Sequence, residues 1–193
     1  IAMEIGDPGG KGRAYGNVGI TNCSFGDYRE ETEHLEKFLK IAIEIGDRRG
    51  EGEAYGNLGN AHTLLGNYRK AIKYHEKHLR IAIEIGDRRV EGGAYANLGT
   101  AYNSLGDYRK AIDYLQKSVK IGKEFGDRHV VGRAYGNLGN AYLCLGDYQK
   151  GIKYHEKHLR IAIEIGDRRV EGGAYVSLGE GYRSVGDYRN AIE

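Results

Sequence analysis

Asparagine and arginine side chains recur at a fixed spacing along this chain, and their chemistry suits them to binding a peptide. Asn57, Asn97 and Asn137 follow one another in steps of 40 residues. An amide side chain both donates and accepts hydrogen bonds, so a row of asparagines can hold the backbone of an extended peptide largely regardless of its sequence. We therefore predict a peptide-binding groove formed by Arg13, Asn17, Asn57, Asn60, Asn97, Asn103, Arg133, Asn137, Asn140 and Arg183.

The arginines of this set predict a ligand with some acidic character. Arg13, Arg133 and Arg183 could each bind a carboxylate, because a guanidinium group forms two parallel hydrogen bonds with one. Glu53 and Glu180 would repel acidic side chains locally and so help to set the register of the ligand. A second interpretation of the asparagines stays open, in which they belong to the repeat pattern and bond neighbouring helices.

Two histidine pairs, His75/His78 and His155/His158, have the i,i+3 spacing that brings two imidazoles to one face of a helix. A zinc site generally needs at least three protein ligands, and these pairs are two repeats apart. We therefore expect no metal and no cofactor. The histidines are expected to pack in the core with hydrogen-bonded rings.

No set of residues predicts catalysis. The stretch Gly9-Gly10-Lys11-Gly12 lacks the spacing and the Ser/Thr of a phosphate-binding loop, and no serine lies in a G-x-S-x-G turn. Cys23 and Cys144 are three repeats apart, too far for a disulfide in a linear stack, so two free thiols in a reducing compartment are expected. The chain is predicted to be a cytoplasmic protein and not an enzyme.

The charge balance argues against nucleic acid and membrane surfaces as partners. The 193 residues carry 29 basic and 27 acidic side chains, a formal net charge of +2. Such a balance produces no general field that would attract a polyanion. No apolar run approaches the roughly 20 residues that span a bilayer, so no membrane insertion is expected.

The elements that must position these side chains are given by two columns of turn residues. Gly-Asp recurs every 40 residues from Gly6-Asp7 to Gly166-Asp167, and Gly-Asp/Asn-Tyr recurs in the same register from 26–28 to 186–188. Glycine can close a helix in the left-handed conformation and a short carboxylate can cap the next one. Two such signals per period predict a helical hairpin with a short helix A and a long helix B.

Apolar spacing within one period supports this assignment. The predicted buried stripe of helix A is Ala134, Leu138, Ala141 and Leu145, and that of helix B is Tyr148, Ile152, His155, Leu159 and Ala162. Steps of three and four residues are typical of a helix with one buried face. The predicted fold is therefore an all-α, right-handed α-solenoid of tandem helix-turn-helix units.

The pattern resembles the tetratricopeptide repeat (TPR). The residues that carry the resemblance are Tyr135, Leu138, Gly139, Tyr142 and the turn Gly146-Asp147-Tyr148. The chain departs from the common TPR in its period, which is 40 residues where 34 is usual, and in lacking a proline after helix B. We expect the additional residues to lengthen helix B by about six residues, or ~9 Å.

The 40-residue repeat contains the motifs Ala-Tyr-Gly-Asn-Leu-Gly-Asn, Tyr-His-Glu-Lys-His and Ile-Gly-Asp-Arg. With these motifs it is similar to the repeats of the LGN/Pins family of adaptors. The predicted units are the end of a preceding repeat at 1–7, repeats at 8–47, 48–87, 88–127 and 128–167, and a truncated repeat at 168–193. Some TPR domains hold a terminal carboxylate with a Lys one position after the helix A aromatic. Here those positions hold Gly16, Gly56, Ala96, Gly136 and Val176, so an internal peptide segment is the expected ligand.

The resemblance implies a scaffold or adaptor that binds a peptide or helix of a partner protein in a concave groove, in cell-polarity or G-protein-linked signalling. Two alternatives remain. The chain could be the sensor arm of a larger multidomain ATPase or protease. It could also be a structural array that self-associates through uncapped ends, since both termini fall within predicted helices and a free-standing solenoid needs polar caps.

Overall fold

A computed structural model of the chain describes residues 28–187 and 190–191. Within these residues the chain forms eight α-helices and no strand. The helices are α1 Tyr28–Glu44, α2 Arg48–Leu64, α3 Tyr68–Glu84, α4 Arg88–Leu105, α5 Tyr108–Glu124, α6 Arg128–Cys144, α7 Tyr148–Ile165 and α8 Arg168–Ser184. The prediction of an all-α chain of tandem helix-turn-helix units is confirmed.

The turn residues act as the sequence predicts. Each described helix is followed by a glycine with a φ between 66° and 88°, a region that favours glycine because it has no side chain to clash. An aspartate, or Asn67 before α3, then occupies the cap position of the next helix. Asp127, for example, accepts a hydrogen bond from the backbone N–H of Val130 at 3.0 Å, which satisfies one of the unpaired donors of the first turn.

The prediction that helix A is short and helix B is long is wrong. The A helices α2, α4, α6 and α8 contain 17 or 18 residues, and so do the B helices. Helix A begins directly after its aspartate cap, so Arg48, Arg88 and Arg128 lie in the first helical turn and not in a loop. The longer period is therefore shared between two helices of equal length.

The chain divides into two compact units, residues 1–97 and 98–193, with the division inside α4. In the first unit Leu35, Leu58 and Ala61 form part of the core, where α1 packs on α2. In the second unit the helix A stripe Ala134, Leu138 and Ala141 is almost completely buried.

The two predicted stripes are buried at Ala134, Leu138, Ala141, Ile152, His155 and Ala162, only partly buried at Leu159, and exposed at their ends beside the turn. Leu145 is 45% exposed and Tyr148 is 39% exposed. Both residues adjoin the Gly146-Asp147 turn. Burial begins one helical turn away from that connection, at Ala141 and Ile152.

Candidate functional site

Helix α7 packs closely against α6 because glycines of α6 make room for side chains of α7. His155 lies against Gly139 and His158 against Gly136. A Cβ atom at Gly139 would lie 2.5 Å from His155 Nε2, and one at Gly136 would lie 2.9 Å from His158 Nδ1. Such distances are too short for a carbon in van der Waals contact. Glycine at both positions is therefore what allows the imidazole rings to lie between the helices.

Helices α6, α7 and α8 of the second unit line an open groove of about 790 Å³, which we call the α6–α8 groove. Its lining includes Arg133, Gly136, Asn137, Asn140, His155 and His158. Three of these, Arg133, Asn137 and Asn140, belong to the set predicted from the sequence. The volume lies within the range of pockets that hold small ligands or peptide side chains.

The expectation of hydrogen-bonded histidine rings is wrong for His155. The residue is 1% exposed and neither of its ring nitrogens has a hydrogen-bond partner among the described residues. The ring faces the middle of α6, where backbone groups are already paired within the helix. Burial, with a smaller contribution from His158, lowers the pKa of His155 to about 4. His155 is consequently neutral at physiological pH.

Arg133 supplies positive charge to the groove. The residue is exposed, yet desolvation by the surrounding protein atoms lowers the pKa of its guanidinium, and Asp127 partly opposes this effect. An arginine remains protonated at neutral pH even when its pKa falls moderately. Arg133 can therefore bind an acidic group of a ligand.

The predicted asparagines fall into two structural situations. Asn137 Nδ2 donates to Thr100 Oγ1 at 3.1 Å, and Asn103 Nδ2 donates to the carbonyl oxygen of Asn137 at 2.8 Å. These two side chains bond neighbouring helices, as the second interpretation of the sequence allowed. Asn140, one turn further along α6, is exposed and lines the groove.

The other predicted site residues lie elsewhere. Asn57 and Asn97 are partly buried in the first unit, where Asn60 is exposed. Arg183 is exposed near the end of α8. Arg13 and Asn17 lie outside the described residues, as does Cys23. Among the predicted residues, Arg133, Asn137 and Asn140 are the ones that line the α6–α8 groove.

His155 and His158 line the groove, which was not predicted, although the repeat pattern contains a signal for their contact with α6. Gly56 and Gly59 precede His78 and His75, just as Gly136 and Gly139 precede His158 and His155. The structure shows the same glycine–histidine contacts in the first unit. Where the chain has Ala96 in place of the first glycine it has Ser118 in place of the histidine. A larger residue at position 96 is thus accompanied by a smaller one at position 118, which indicates that these two positions of the repeat are in contact.

Within residues 28–187 and 190–191, no group of three or more His, Cys, Asp or Glu side chains is placed to hold a metal ion. Cys144 is a free, exposed cysteine. No helix in the described part of the chain is long and apolar enough to cross a membrane.

Successive helical hairpins with a groove lined by helix A residues define the class of α-helical repeat proteins. More particularly, this chain belongs to the tetratricopeptide repeat family, whose model matches residues 10–84, 50–124 and 130–193. No curated protein matches the chain.

Several solved structures are similar to the chain. BtubC (BKLC) from P. vanneervenii has 21% identity and a TM-score of 0.83 over 99% of this chain and 80% of that one. A Signal Transduction ATPase with Numerous Domains (STAND) protein with a tetratricopeptide repeat sensor, from Pyrococcus horikoshii, has 25% identity and a TM-score of 0.82 over 92% of this chain and 28% of that one.

A Rap protein in complex with Competence and Sporulation Factor has 16% identity and a TM-score of 0.83, over 95% of this chain and 51% of that one. The likenesses to BtubC and the Rap protein, at these identities, concern the fold alone. The chain spans about half of the Rap protein and just over a quarter of the STAND protein. The resemblance to LGN/Pins repeats is not shown by these comparisons.

Proposed function

We propose that this chain is a protein-interaction module without catalytic activity of its own, and that the α6–α8 groove binds an internal segment of a partner protein. The observation that carries the proposal is the groove of about 790 Å³, whose lining includes the exposed side chains of Arg133 and Asn140. A guanidinium group donates hydrogen bonds, and an amide both donates and accepts them. A ligand that supplied partners to these two side chains would gain binding energy.

The charges of the groove favour an acidic residue in the bound segment. Arg133 and Arg169 both line the groove, and no carboxylate forms an ion pair with Arg133 within the described residues. The two aspartates of the groove lining are helix caps: Asp127 accepts from the N–H of Val130, and Asp167 accepts from the N–H groups of Arg169 and Val170. A ligand carboxylate would be the complementary partner for these guanidinium groups.

The test uses a random dodecapeptide display library selected against the full chain, followed by affinity measurements on the enriched peptides. Asn140→Ala and Arg133→Gln should each weaken binding about tenfold, because each removes a hydrogen bond to the ligand, in the second case a charge-assisted one. Lys153→Ala is the control, since Lys153 is exposed on α7 and does not line the groove. Equal affinity of all three variants for the selected peptides would contradict the proposal.

A second candidate function is supported by one comparison. The STAND protein of Pyrococcus horikoshii carries a tetratricopeptide repeat sensor, and it is 25% identical to this chain. We propose as the alternative that the chain serves as the sensor arm of a larger ATPase. The sequence of the complete gene separates the two candidates, because an arm of this kind must be joined to a nucleotide-binding domain.

The pathway, the location in the cell and the oligomeric state of the chain were also predicted from the sequence. Cell-polarity or G-protein-linked signalling, cytoplasmic location and self-association through chain ends stay proposals drawn from the sequence. Light scattering as a function of protein concentration tests the last of these, since self-association raises the apparent mass as concentration rises.

A further inference from the structure

A second cavity of the 98–193 unit is strongly basic. It has a volume of about 440 Å³ and lies between the end of α5 and helices α6 and α7. Four cationic side chains line it, Lys123, Arg128, Lys157 and Arg160, together with one carboxylate, Glu164. We call this cavity the basic pocket. It shares Arg128 and Ile161 with the lining of the α6–α8 groove and otherwise uses different residues.

The carboxylate does not neutralise the pocket, because it is already engaged. Glu164 forms an ion pair with Arg128 at 2.8 Å. No carboxylate within the described residues lies at ion-pair distance from Lys123, Lys157 or Arg160. Three cations of the basic pocket thus remain available to an anion.

Two of these cations converge on one aromatic ring. The ammonium groups of Lys123 and Lys157 lie 5.8 and 5.3 Å from the centre of the Tyr135 ring. A ring face attracts a cation, so Tyr135 favours a position of Lys123 beside the pocket, and Tyr135 and Tyr154 do the same for Lys157, whose ammonium group lies 4.8 Å from the centre of the Tyr154 ring. Neither ring neutralises the charge of these lysines, so the pocket keeps a positive field that favours an anion.

The first unit contains the equivalent cavity in a smaller and less basic form. It has a volume of about 170 Å³ and is lined by Arg48, Glu51, Tyr55, Lys77, Arg80 and Ile81. Arg48 is bonded there to two carboxylates, Glu51 and Glu84. The cations of this cavity therefore face more negative charge than those of the basic pocket.

Two changes in the repeat pattern produce the difference, and both act in the same direction. The residue equivalent to Val131 is a glutamate in three other repeats, Glu51, Glu91 and Glu171, so the basic pocket has one acid fewer than those repeats. The residue equivalent to Lys123 is an isoleucine in three other repeats, Ile43, Ile83 and Ile163, so the basic pocket has one base more. Gly122, where the earlier repeats have Ala42 and Ala82, leaves room beside Val131, whose Cγ2 atom would be 2.8 Å from an added Cβ.

We propose that the basic pocket binds a phosphate dianion, either as inorganic phosphate or as the phosphoryl group of a small organic monoester. A phosphate monoester carries a charge near −2 at neutral pH and offers three acceptor oxygens. Lys123, Lys157 and Arg160 can each donate to one oxygen. A carboxylate has half the charge and two oxygens, so it offers less to a pocket with three available cations.

The experiment is a phosphorus-31 NMR titration of the full chain with inorganic phosphate and, separately, with glycerol 3-phosphate, at constant ionic strength. Lys123→Ile restores the residue of the other repeats, and Lys157→Gln removes a second cation. Each should weaken binding about tenfold, as expected for the loss of one charge-assisted hydrogen bond. Lys77→Gln is the matched control, because it makes the same change in the cavity of the first unit and should leave binding unaltered.

Circular dichroism checks that the variants keep their helix content, which is expected because Lys123 is exposed. The tighter of the two ligands identifies the source of the phosphoryl group. The proposal is overturned if neither ligand binds the unmodified chain, if Lys77→Gln weakens binding as much as Lys157→Gln, or if succinate competes as well as phosphate. Peptide capture by the α6–α8 groove is measured separately, so either proposal can fail alone.

Discussion

Single glycines control the approach of helices α6 and α7. The ring of His155 occupies the space that a side chain at position 139 would fill. Any residue larger than glycine at this position would displace the ring. Gly173 on α8 is also helical, yet no atom lies within 4 Å of the position its Cβ would take. Two glycines in the same kind of element therefore have opposite roles.

We expect Gly139→Ala to lower the free energy of unfolding by about 1–3 kcal/mol, because the added methyl group overpacks the contact with His155. Gly173→Ala should instead raise it by roughly 0.5–1 kcal/mol, since alanine is the better helix former and space is available. Urea unfolding followed by circular dichroism measures both values. Stabilisation by both substitutions would show that the glycine–histidine contact is not tight.

His155 should make stability depend on pH. Its pKa is about 4 in the folded chain and about 6.5 when unfolded. The unfolded chain therefore binds the additional proton between these values. The contribution of His155 is complete above about pH 6.5 and is lost as the pH falls towards 4, by up to about 3 kcal/mol. Urea unfolding at about pH 7 and pH 4.5 measures the loss.

His155→Leu is the matched variant, because Leu115 is the natural residue at the corresponding position and packs against Gly99 in the same way. The variant should show a smaller loss of stability between the two pH values than the unmodified chain. An identical loss in both proteins would mean that other groups, such as the carboxylates, account for the whole dependence.

At the scale of elements, the aspartate caps determine where each helix begins. The side chains of Asp107 and Asp147 accept hydrogen bonds from the backbone N–H groups of Lys110 and Lys150, in the first turns of α5 and α7. Asn67 occupies the corresponding position before α3 and makes no side-chain capping bond. Helix α3 thus starts without the interaction that α5 and α7 possess.

We expect Asn67→Asp to stabilise the chain by about 0.5–1 kcal/mol, because a carboxylate can accept from the first-turn N–H groups and also interacts favourably with the positive end of the helix. Thermal unfolding measures the gain. Asp147→Asn, the reverse change at an equivalent cap, should give a loss of similar size. A neutral result for both substitutions would indicate that the caps contribute little to helix stability here.

At the scale of the whole molecule, a repeat chain is stabilised by contacts between neighbouring elements, so damage to one repeat should remain partly local. Leu138 is 1% exposed on α6, and Leu58 occupies the same position on α2 with 0% exposure. The two leucines allow the same cavity to be created in either of the two units.

Leu138→Ala should cost about 2–5 kcal/mol through the loss of buried contacts and the cavity left behind. In hydrogen exchange measured by mass spectrometry, it should reduce protection most strongly in α6 and α7. Leu58→Ala, the matched variant, should act most strongly on α2 and α3. A uniform loss of protection along the chain from either variant would mean that the molecule opens as a single cooperative body.

The sequence by itself determined the helical hairpins, their turns and the TPR family, because these follow from interactions among residues close in the chain. Gly146 and Asp147 define a helix end and a cap whatever surrounds them. It also placed Arg133 and Asn140 on one face of helix A, because a regular period puts equivalent residues on equivalent surfaces, and their role in peptide binding stays a prediction.

Only the tertiary structure decided which polar residues face a cavity and which face a neighbouring helix. Asn137 and Asn140 have the same side chain, lie one turn apart and both line the groove, yet Asn137 donates to Thr100 whereas Asn140 is exposed. The burial of His155 and the convergence of Lys123 with Lys157 at Tyr135 likewise depend on residues distant in sequence. Periodicity specifies the face of a helix, whereas the space beside that face depends on how the helices pack.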